Sequence, residues 1–140
     1  MSNPSHILSV LKEQGYKQTR LRTLLISHLV KIKKPLAAID ILKILKEKGL
    51  VVNKSTVYRE VEFLLHKKII VEINFGDGKQ RYEIAGLPHH HHLVCTNCGK
   101  IEDIIADKDL EVLEKKIKRS KGFSINSHNL EFFGICKKCQ

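Results

Sequence analysis

Long apolar runs, cysteine and acidic residues are all scarce in this sequence. No apolar run approaches the ~20 residues that a membrane-spanning helix needs, so we expect no such helix. The first residues, MSNPSHILSVLKEQG, lack a basic region followed by a long apolar stretch. We therefore expect no secretory signal and a cytoplasmic protein.

Only four cysteines are present, and in the cytoplasm their thiols stay reduced. This disfavours a disulfide framework and leaves metal binding or redox chemistry. The 25 lysines and arginines outnumber the 15 acidic residues, which gives a net charge of +10. The excess falls mostly before residue 82 and at 115–121. This positive charge suits binding to a polyanion such as nucleic acid. The alternative interpretation is a solvated, lysine-rich surface without such a partner.

The first half of the chain is predicted to hold four helices. The first covers residues 4–14, and Thr19 caps the second. The third runs over 37–48, and Asn53 or Ser55 caps the fourth. Each carries apolar residues at helical spacing, for example Leu21, Leu25 and Leu29 in the second helix. At 140 residues, the chain suffices for one domain or two small lobes.

After the fourth helix the apolar period changes from about 3.6 to 2. The segment IIVEINF alternates, GDG makes a turn, and KQRYEI returns, which predicts a β-hairpin. Several helices followed by a basic hairpin are typical of a winged helix-turn-helix, whose last helix enters the major groove of DNA. The exposed start of the fourth helix should then contact DNA. These candidate residues are Lys54, Ser55, Thr56, Tyr58 and Arg59.

Two of these candidates have simpler interpretations. Tyr58 is also consistent with a half-buried aromatic packed beside Val61 and Leu65. Arg59 is also consistent with a surface ion pair to Glu60 or Glu62, which contributes little stability.

A Gly/Pro-containing segment, AGLPH, predicts a hinge into a second lobe. We expect a DNA-binding domain at 1–84, a hinge at 85–92 and a second domain at 93–140. The second domain is predicted to hold short strands at 93–95 and 100–104, a helix at 107–121 and a long last strand at 123–136. The fold class is therefore α+β.

The four cysteines form two Cys-x-x-Cys pairs, Cys95 with Cys98 and Cys136 with Cys139. Each pair supplies two thiolates from one tight turn, and four thiolates complete a closed tetrahedral zinc site. This spacing predicts structural Zn²⁺, whose removal should unfold the second domain.

Four consecutive histidines, 89–92, precede the first cysteine pair. A purification tag is disfavoured because tags lie at chain ends. In an extended segment, His89 and His91 point one way and His90 and His92 the other, so one run can supply two metal sites. The candidates to complete them are Glu83, Asp103, Glu111 and His128, although each carboxylate is also consistent with an exposed, solvated acid.

The chain resembles the ferric uptake regulator family of metal-responsive repressors. The resemblance covers nearly the whole chain, through GYKQTRLR, STVYRE, HHHHLVCTNCGKIED and SHNLEFFGICKKC. It implies a homodimer with an N-terminal winged helix and a small C-terminal α/β dimerisation domain that holds the four-cysteine zinc. It also implies that the metal-bound protein, which is not an enzyme, represses transcription from AT-rich inverted repeats of double-stranded DNA.

The resemblance assigns particular residues as well. It implies DNA contact by Tyr58 and Arg59 and a minor-groove contact by Lys17. It implies two further metal sites, and it divides the histidines between them as the alternation does. The regulatory site would use Glu83, His90, His92 and Asp103, and an additional site would use His89, His91, Glu111 and His128.

The chain departs from the family at one ligand position. Iron and peroxide sensors of the family usually add a histidine from the loop before the third helix, but this loop reads KIKKPLAA. Lys34 and Pro35 cannot bind metal there, and His28 fits the edge of the core better. Zinc sensors typically add a cysteine, and every cysteine is already assigned. Imidazole with carboxylate favours Fe²⁺ or Mn²⁺ and also accepts Zn²⁺.

Three rival functions remain open at this level. A zinc-uptake regulator of the same family would use the same fold. A zinc-storage or metal-delivery protein would need the histidines but not the winged helix. A metal hydrolase would need a substrate pocket, for which we find no pattern.

Overall fold

The computed structural model describes residues 3–140. The chain divides into two compact units, one ending at Leu87 and the other running from Pro88 to Gln140. This division falls inside the segment predicted to be the hinge. Within residues 3–140, no helix has the length and apolar content needed to cross a bilayer.

The first unit contains four helices and a three-stranded sheet. Two helices begin at side-chain caps that the sequence predicts: Thr19 Oγ1 accepts from the Arg22 N–H at 3.1 Å, and Asn53 Oδ1 accepts from the Thr56 N–H at 2.8 Å. Asn53 rather than Ser55 is therefore the cap of the fourth helix. The elements are α1 (Pro4–Glu13), α2 (Arg20–Ile32), β1 (Leu36–Ala37), α3 (Ala38–Glu47), α4 (Lys54–His66), β2 (Ile70–Asn74) and β3 (Gln80–Ile84).

The predicted hairpin is formed by β2 and β3, which pair antiparallel with Ile70 opposite Ile84. Strand β1 adds to the outer side of β3, with Leu36 opposite Tyr82. The sequence did not predict β1, because two residues are too few to reveal a period of 2. The hairpin directly follows α4, as the winged helix-turn-helix requires.

The core of the first unit is apolar and is formed by all four helices and the sheet. Its fully buried side chains include Ile26, Leu29, Val57, Leu64 and Ile70, each at most 2% exposed. Leu29 of α2 and Val57 and Leu64 of α4 follow the predicted apolar spacing, whereas that spacing did not include Ile26, and Ile70 belongs to β2. The core therefore fixes the orientation of α4, the helix predicted to bind DNA, within the first unit.

The second unit contains β4 (His91–Cys95), β5 (Ile101–Ile104), α5 (Asp107–Lys121) and β6 (Glu131–Gly134). Strand β4 is central, antiparallel to β5 and parallel to β6. The predicted long strand at 123–136 was wrong, because only Glu131–Gly134 is a strand. These four residues pair with 92–95 of the short β4, and residues 123–130 have no strand beside them in the described sheet. The α+β fold class is confirmed.

Candidate metal centres and nucleic-acid interface

The four cysteines converge in the second unit. Parallel pairing places Cys95 of β4 opposite Gly134 of β6, and this brings the two Cys-x-x-Cys turns side by side. The four sulfur atoms lie within 4.8 Å of one another, and Cys98 Sγ is 3.7 Å from Cys136 Sγ. Sulfurs 2.3 Å from a tetrahedral zinc would be about 3.8 Å apart. All four cysteines are free thiols, so the group has the spacing of a zinc site.

The backbone around Cys95 favours the thiolate form of that residue. The pKa of Cys95 falls from 9.0 to about 6, because the backbone N–H groups of Cys136 and Cys98 donate to its sulfur. The Cys136 N–H lies 3.3 Å from that sulfur. A metal-binding cysteine must be deprotonated, so these hydrogen bonds prepare Cys95 for a cation.

The histidine segment alternates in direction as its extended backbone predicts. The His89 and His91 rings have centroids 4.7 Å apart, and those of His90 and His92 are 4.9 Å apart. His91 and His92 lie in β4 and are only 3% and 6% exposed. A single segment therefore presents two pairs of imidazoles on opposite faces.

One imidazole pair is completed by a third histidine. His128 Nε2 lies 3.0 Å from His89 Nε2, and the ligand nitrogens of His89, His91 and His128 lie within 4.8 Å of one another. The buried Nε2 of His91 has no hydrogen-bond partner among residues 3–140. Burial, followed by the neighbouring His89 and His128, lowers the pKa of His91, which favours the neutral, metal-binding form.

The carboxylates beside this trio differ from the prediction. The structure does not bring Glu111 to the trio, because its side chain is 66% exposed and its Oε2 lies 3.9 Å from Lys115 Nζ. Glu114 Oε1 instead lies 2.8 Å from His128 Nδ1. Asp107 Oδ1 lies 4.0 Å from His89 Nε2, and this buried oxygen has no hydrogen-bond partner within the described chain. Helical periodicity could not distinguish these acids, because positions 107, 111 and 114 lie on one face of α5.

The other imidazole pair lies beside Asp103. His92 is opposite Asp103 in the β4–β5 ladder, and His92 Nε2 is 4.0 Å from Asp103 Oδ1. His90 Nδ1 lies 2.7 Å from the Pro88 carbonyl oxygen, which directs Nε2 away from that contact. The predicted fourth ligand, Glu83, belongs to β3 of the first unit and is 4% exposed.

His28 lies at the core edge of the first unit, as its apolar helix pattern indicates. It lines a small cavity beside Leu24, Leu36 and Ile41, and burial and the nearby Lys48 and Lys31 lower its pKa. These surroundings are those of a packed core histidine.

The start of α4 holds the predicted DNA-contacting side chains. Lys54, Ser55 and Arg59 are exposed, whereas Tyr58 is half-buried with Lys54 Nζ 5.7 Å above its ring. The hydroxyls of Ser55 and Thr56 donate to Asn53 Oδ1 at 2.8 and 2.7 Å. Those two hydroxyls therefore also stabilise the helix cap, which the sequence did not indicate.

Lys17 is exposed in the connection between α1 and α2. Glu60, one alternative partner for Arg59, instead forms an ion pair with Arg22, whose Nε lies 2.6 Å from Glu60 Oε1.

The turn of the β2–β3 hairpin is stabilised by an ion pair. Arg81 donates to both carboxylate oxygens of Asp77, at 3.0 and 2.7 Å, and lies 5.0 Å from the Phe75 ring centroid. Mainly because of the Arg81 hydrogen bonds, the pKa of Asp77 falls from 3.8 to about 2. The resulting stabilisation is complete above pH ~4 and is lost as the pH falls through about 2.

Replacing this arginine tests the arrangement of the hairpin turn. Arg81→Met removes both hydrogen bonds, so we expect the pKa of Asp77 to rise from about 2 towards 3.8. Carboxyl NMR titration measures it, and Lys79→Met in the same turn serves as the control. An Asp77 pKa that stays near 2 in Arg81→Met would contradict the assigned cause.

Comparison with known proteins gives consistent matches over most of the chain. A family model described as the ferric uptake regulator family matches residues 13–133. The ferric uptake regulation protein of Bacillus subtilis is 40% identical over 133 residues, covering 92% of this chain and 89% of that protein. The peroxide operon regulator of the same organism is 31% identical, covering 94% and 90%.

A solved structure gives the same result at the level of the fold. The Helicobacter pylori ferric uptake regulator, described as having three functional metal-binding sites, superposes with a TM-score of 0.80. It is 27% identical, and the match covers 96% of this chain and 89% of that one.

Proposed function

This chain belongs to the ferric uptake regulator family of metal-responsive, DNA-binding repressors, and from that premise we propose how its own residues make DNA binding depend on a divalent metal. The observation that carries the proposal is the alternating histidine segment, whose His90 and His92 lie beside each other and, through His92, beside Asp103. We assign the regulatory site to Glu83, His90, His92 and Asp103.

The donor chemistry supports this assignment. Metal-binding histidines usually donate their second ring N–H to a carbonyl or carboxylate, which orients the ring. His90 Nδ1 has such a partner in the Pro88 carbonyl. Two imidazoles with carboxylates suit Fe²⁺ or Mn²⁺ and also accept Zn²⁺. The four cysteines are gathered in their own group, which supports structural Zn²⁺ there and disfavours a zinc-uptake regulator.

The division of these ligands between units suggests how the switch works. Glu83 belongs to the first unit, and His90, His92 and Asp103 belong to the second. An ion bound by all four would restrict the angle between DNA-binding and dimerisation units. In a dimer this would space two α4 helices for two half-sites on one duplex, an AT-rich inverted repeat.

Exposed apolar side chains in the second unit support dimerisation there. Phe132, Phe133 and Ile135 are each 45–52% exposed at β6, and Val112 of α5 is 68% exposed. Side chains of this kind gather at interfaces between subunits. As a regulator of bacterial genes, the dimer would act in the cytoplasm.

The additional site is assigned to His89, His91 and His128, with Asp107 in the place predicted for Glu111. Glu114 would orient His128 through its Nδ1, as a second carboxylate often does in such sites.

Two isosteric variants separate these acids. We expect Asp107→Asn to weaken Co²⁺ binding at this site about tenfold or more. We expect Glu111→Gln, the matched control on the same helix, to leave it unchanged. Co²⁺ titration of zinc-loaded protein, followed by its visible absorption, measures both. Weaker Co²⁺ binding in Glu111→Gln but not in Asp107→Asn would show that Glu111 is the ligand.

The proposed function is tested by anaerobic binding to a duplex with an AT-rich inverted repeat. Titrations with Fe²⁺, Mn²⁺ and Zn²⁺ are compared, and then repeated after peroxide. We expect Fe²⁺ or Mn²⁺ to act at the lowest concentration, and loss of binding after peroxide would indicate a peroxide sensor. Failure to bind any duplex with metal present would favour a zinc-storage or metal-delivery protein.

A further inference from the structure

The connection between α1 and α2, residues 14–19, is held against α4 by aromatic contacts. The Tyr16 ring packs edge-on against Phe63 of α4, with centroids 5.0 Å apart. Lys67 Nζ lies 4.3 Å from the centroid of Tyr16, and Gln18 Nε2 donates to the Leu8 carbonyl at 3.1 Å. Between the two anchored residues lies the exposed Lys17.

The buried Arg22 connects the segment at residues 14–19 to α4. Arg22 is 8% exposed, and its Nε and Nη2 donate to the two carboxylate oxygens of Glu60 at 2.6 and 3.1 Å. Its Nη1 donates to the Lys17 carbonyl at 2.6 Å. The guanidinium also lies 4.1 Å from the Phe63 ring centroid. We call Arg22, Glu60 and the Lys17 carbonyl the Arg22 cluster.

We propose that the Arg22 cluster is a positioning device that fixes Lys17 relative to α4, so that both contact one DNA duplex in a single register. This inference rests on the proposed DNA-binding function. Arg22 and Glu60 do not themselves touch DNA in this account. They act through the backbone of Lys17, whose side chain makes the contact.

A contribution to folding stability does not by itself explain why the Arg22 cluster is present. A buried ion pair often stabilises a fold no better than apolar residues of similar size, because both charges lose their hydration. The third bond, from Nη1 to the Lys17 carbonyl, lies outside the ion pair and orders a surface segment. Only a guanidinium has the planar set of donors that serves a carboxylate and a carbonyl together, and a lysine would satisfy one of them.

The experiment is a double-mutant cycle on DNA affinity, using the full-length, zinc-loaded protein with Mn²⁺. The background variant is Arg22→Met combined with Glu60→Leu, which leaves no unpaired buried charge. Lys17→Ala is made in the wild type and in this background. We expect Lys17→Ala to weaken binding on the order of tenfold in the wild type but less than about twofold in the background. The background alone should also weaken binding on the order of tenfold.

Salt dependence provides a readout that a purely structural role would not change. Losing one cationic contact to DNA, here that of the Lys17 ammonium, lowers the slope of log affinity against log salt by about one per subunit, because one counterion fewer is released. We expect that lower slope in the background variant while its thermal unfolding remains cooperative. Arg22→Lys should give the same loss of slope, which keeps the test valid if the double variant is poorly folded.

Arg20→Met is the matched control, since Arg20 is the neighbouring exposed arginine and bonds only to the Lys48 carbonyl among the hydrogen bonds described for it. The effect of Lys17→Ala should be undiminished in that background. Equal effects of Lys17→Ala in the wild type and in the Arg22/Glu60 background would overturn the positioning role while leaving metal-dependent DNA binding intact. Absence of duplex binding by the wild type would instead overturn the proposed function, and the positioning role with it.

Discussion

Replacing Cys136 by serine is expected to unfold the second unit, whereas replacing the neighbouring Lys137 by serine is expected to leave it folded. The reason is that this unit has almost no core of its own. Its buried side chains within the described chain are His91, His92 and Cys95, and α5 buries none. Zinc bound by the four thiolates therefore has to supply much of the stability of the second unit.

The size of the effect follows from the metal. Structural zinc sites in small domains bind with ~10–16 kcal/mol of apparent free energy, which is as large as the whole stability of a typical domain, about 5–15 kcal/mol. Losing one of four thiolates removes much of this contribution. Zinc content by elemental analysis, combined with limited proteolysis, would detect the unfolding of residues 88–140 while residues before Leu87 stay protected.

Chelation of the wild type is the second arm of this test. A zinc-free chain whose second unit still resists protease would contradict a structural role for the metal. Lys137→Ser should keep one zinc per chain and the wild-type digestion pattern, because its side chain is exposed and is not a ligand.

Replacing Asp103 by alanine is expected to abolish the effect of added metal on DNA binding without loss of structural zinc. Asp103 is opposite His92 in the β-ladder and is exposed at the edge strand β5, so its removal should leave the fold intact. Allosteric couplings commonly change affinity ~5 to 150-fold, and a nearly complete switch needs ~5.5 kcal/mol. We expect Mn²⁺ to raise the DNA affinity of the wild type at least ~5-fold and to leave the DNA affinity of Asp103→Ala unchanged.

Glu102→Ala is the control for this prediction. Glu102 is the adjacent carboxylate of β5, but it forms an ion pair with Lys100 and does not face His92. Fluorescence anisotropy of a labelled duplex, with and without Mn²⁺, would compare the three proteins. Wild-type metal dependence in Asp103→Ala would remove Asp103 from the regulatory site.

Local patterns in the sequence predicted the parts of the structure that local chemistry determines. The caps at Thr19 and Asn53, the hairpin of β2 and β3, and the two cysteine turns all depend on residues close together in the chain. The alternation of the four histidines follows from extended backbone alone. The family resemblance then supplied the dimerisation role of the second unit.

Other features depend on packing that no short pattern contains. Whether Glu111 or Glu114 approaches His128, and whether Asp107 approaches His89, depends on tertiary packing, because the three acids lie on one face of α5 at i, i+4 and i+7. The partner of Glu60 is Arg22, 38 residues away, and no spacing rule connects them. Strand β6 is short because its partner β4 is short. The segment FSINSHNLEFFGIC does not itself show where the pairing ends.

A divalent ion and a DNA duplex are expected to bind cooperatively to this protein. Thermodynamic linkage requires each ligand to raise the affinity for the other by the same factor. The direct measurement is therefore the Mn²⁺ affinity of zinc-loaded protein, by calorimetry, with and without a saturating duplex. We expect the duplex to tighten Mn²⁺ binding by the factor with which Mn²⁺ tightens DNA binding. Equal Mn²⁺ affinities in the two titrations would contradict metal-dependent DNA binding.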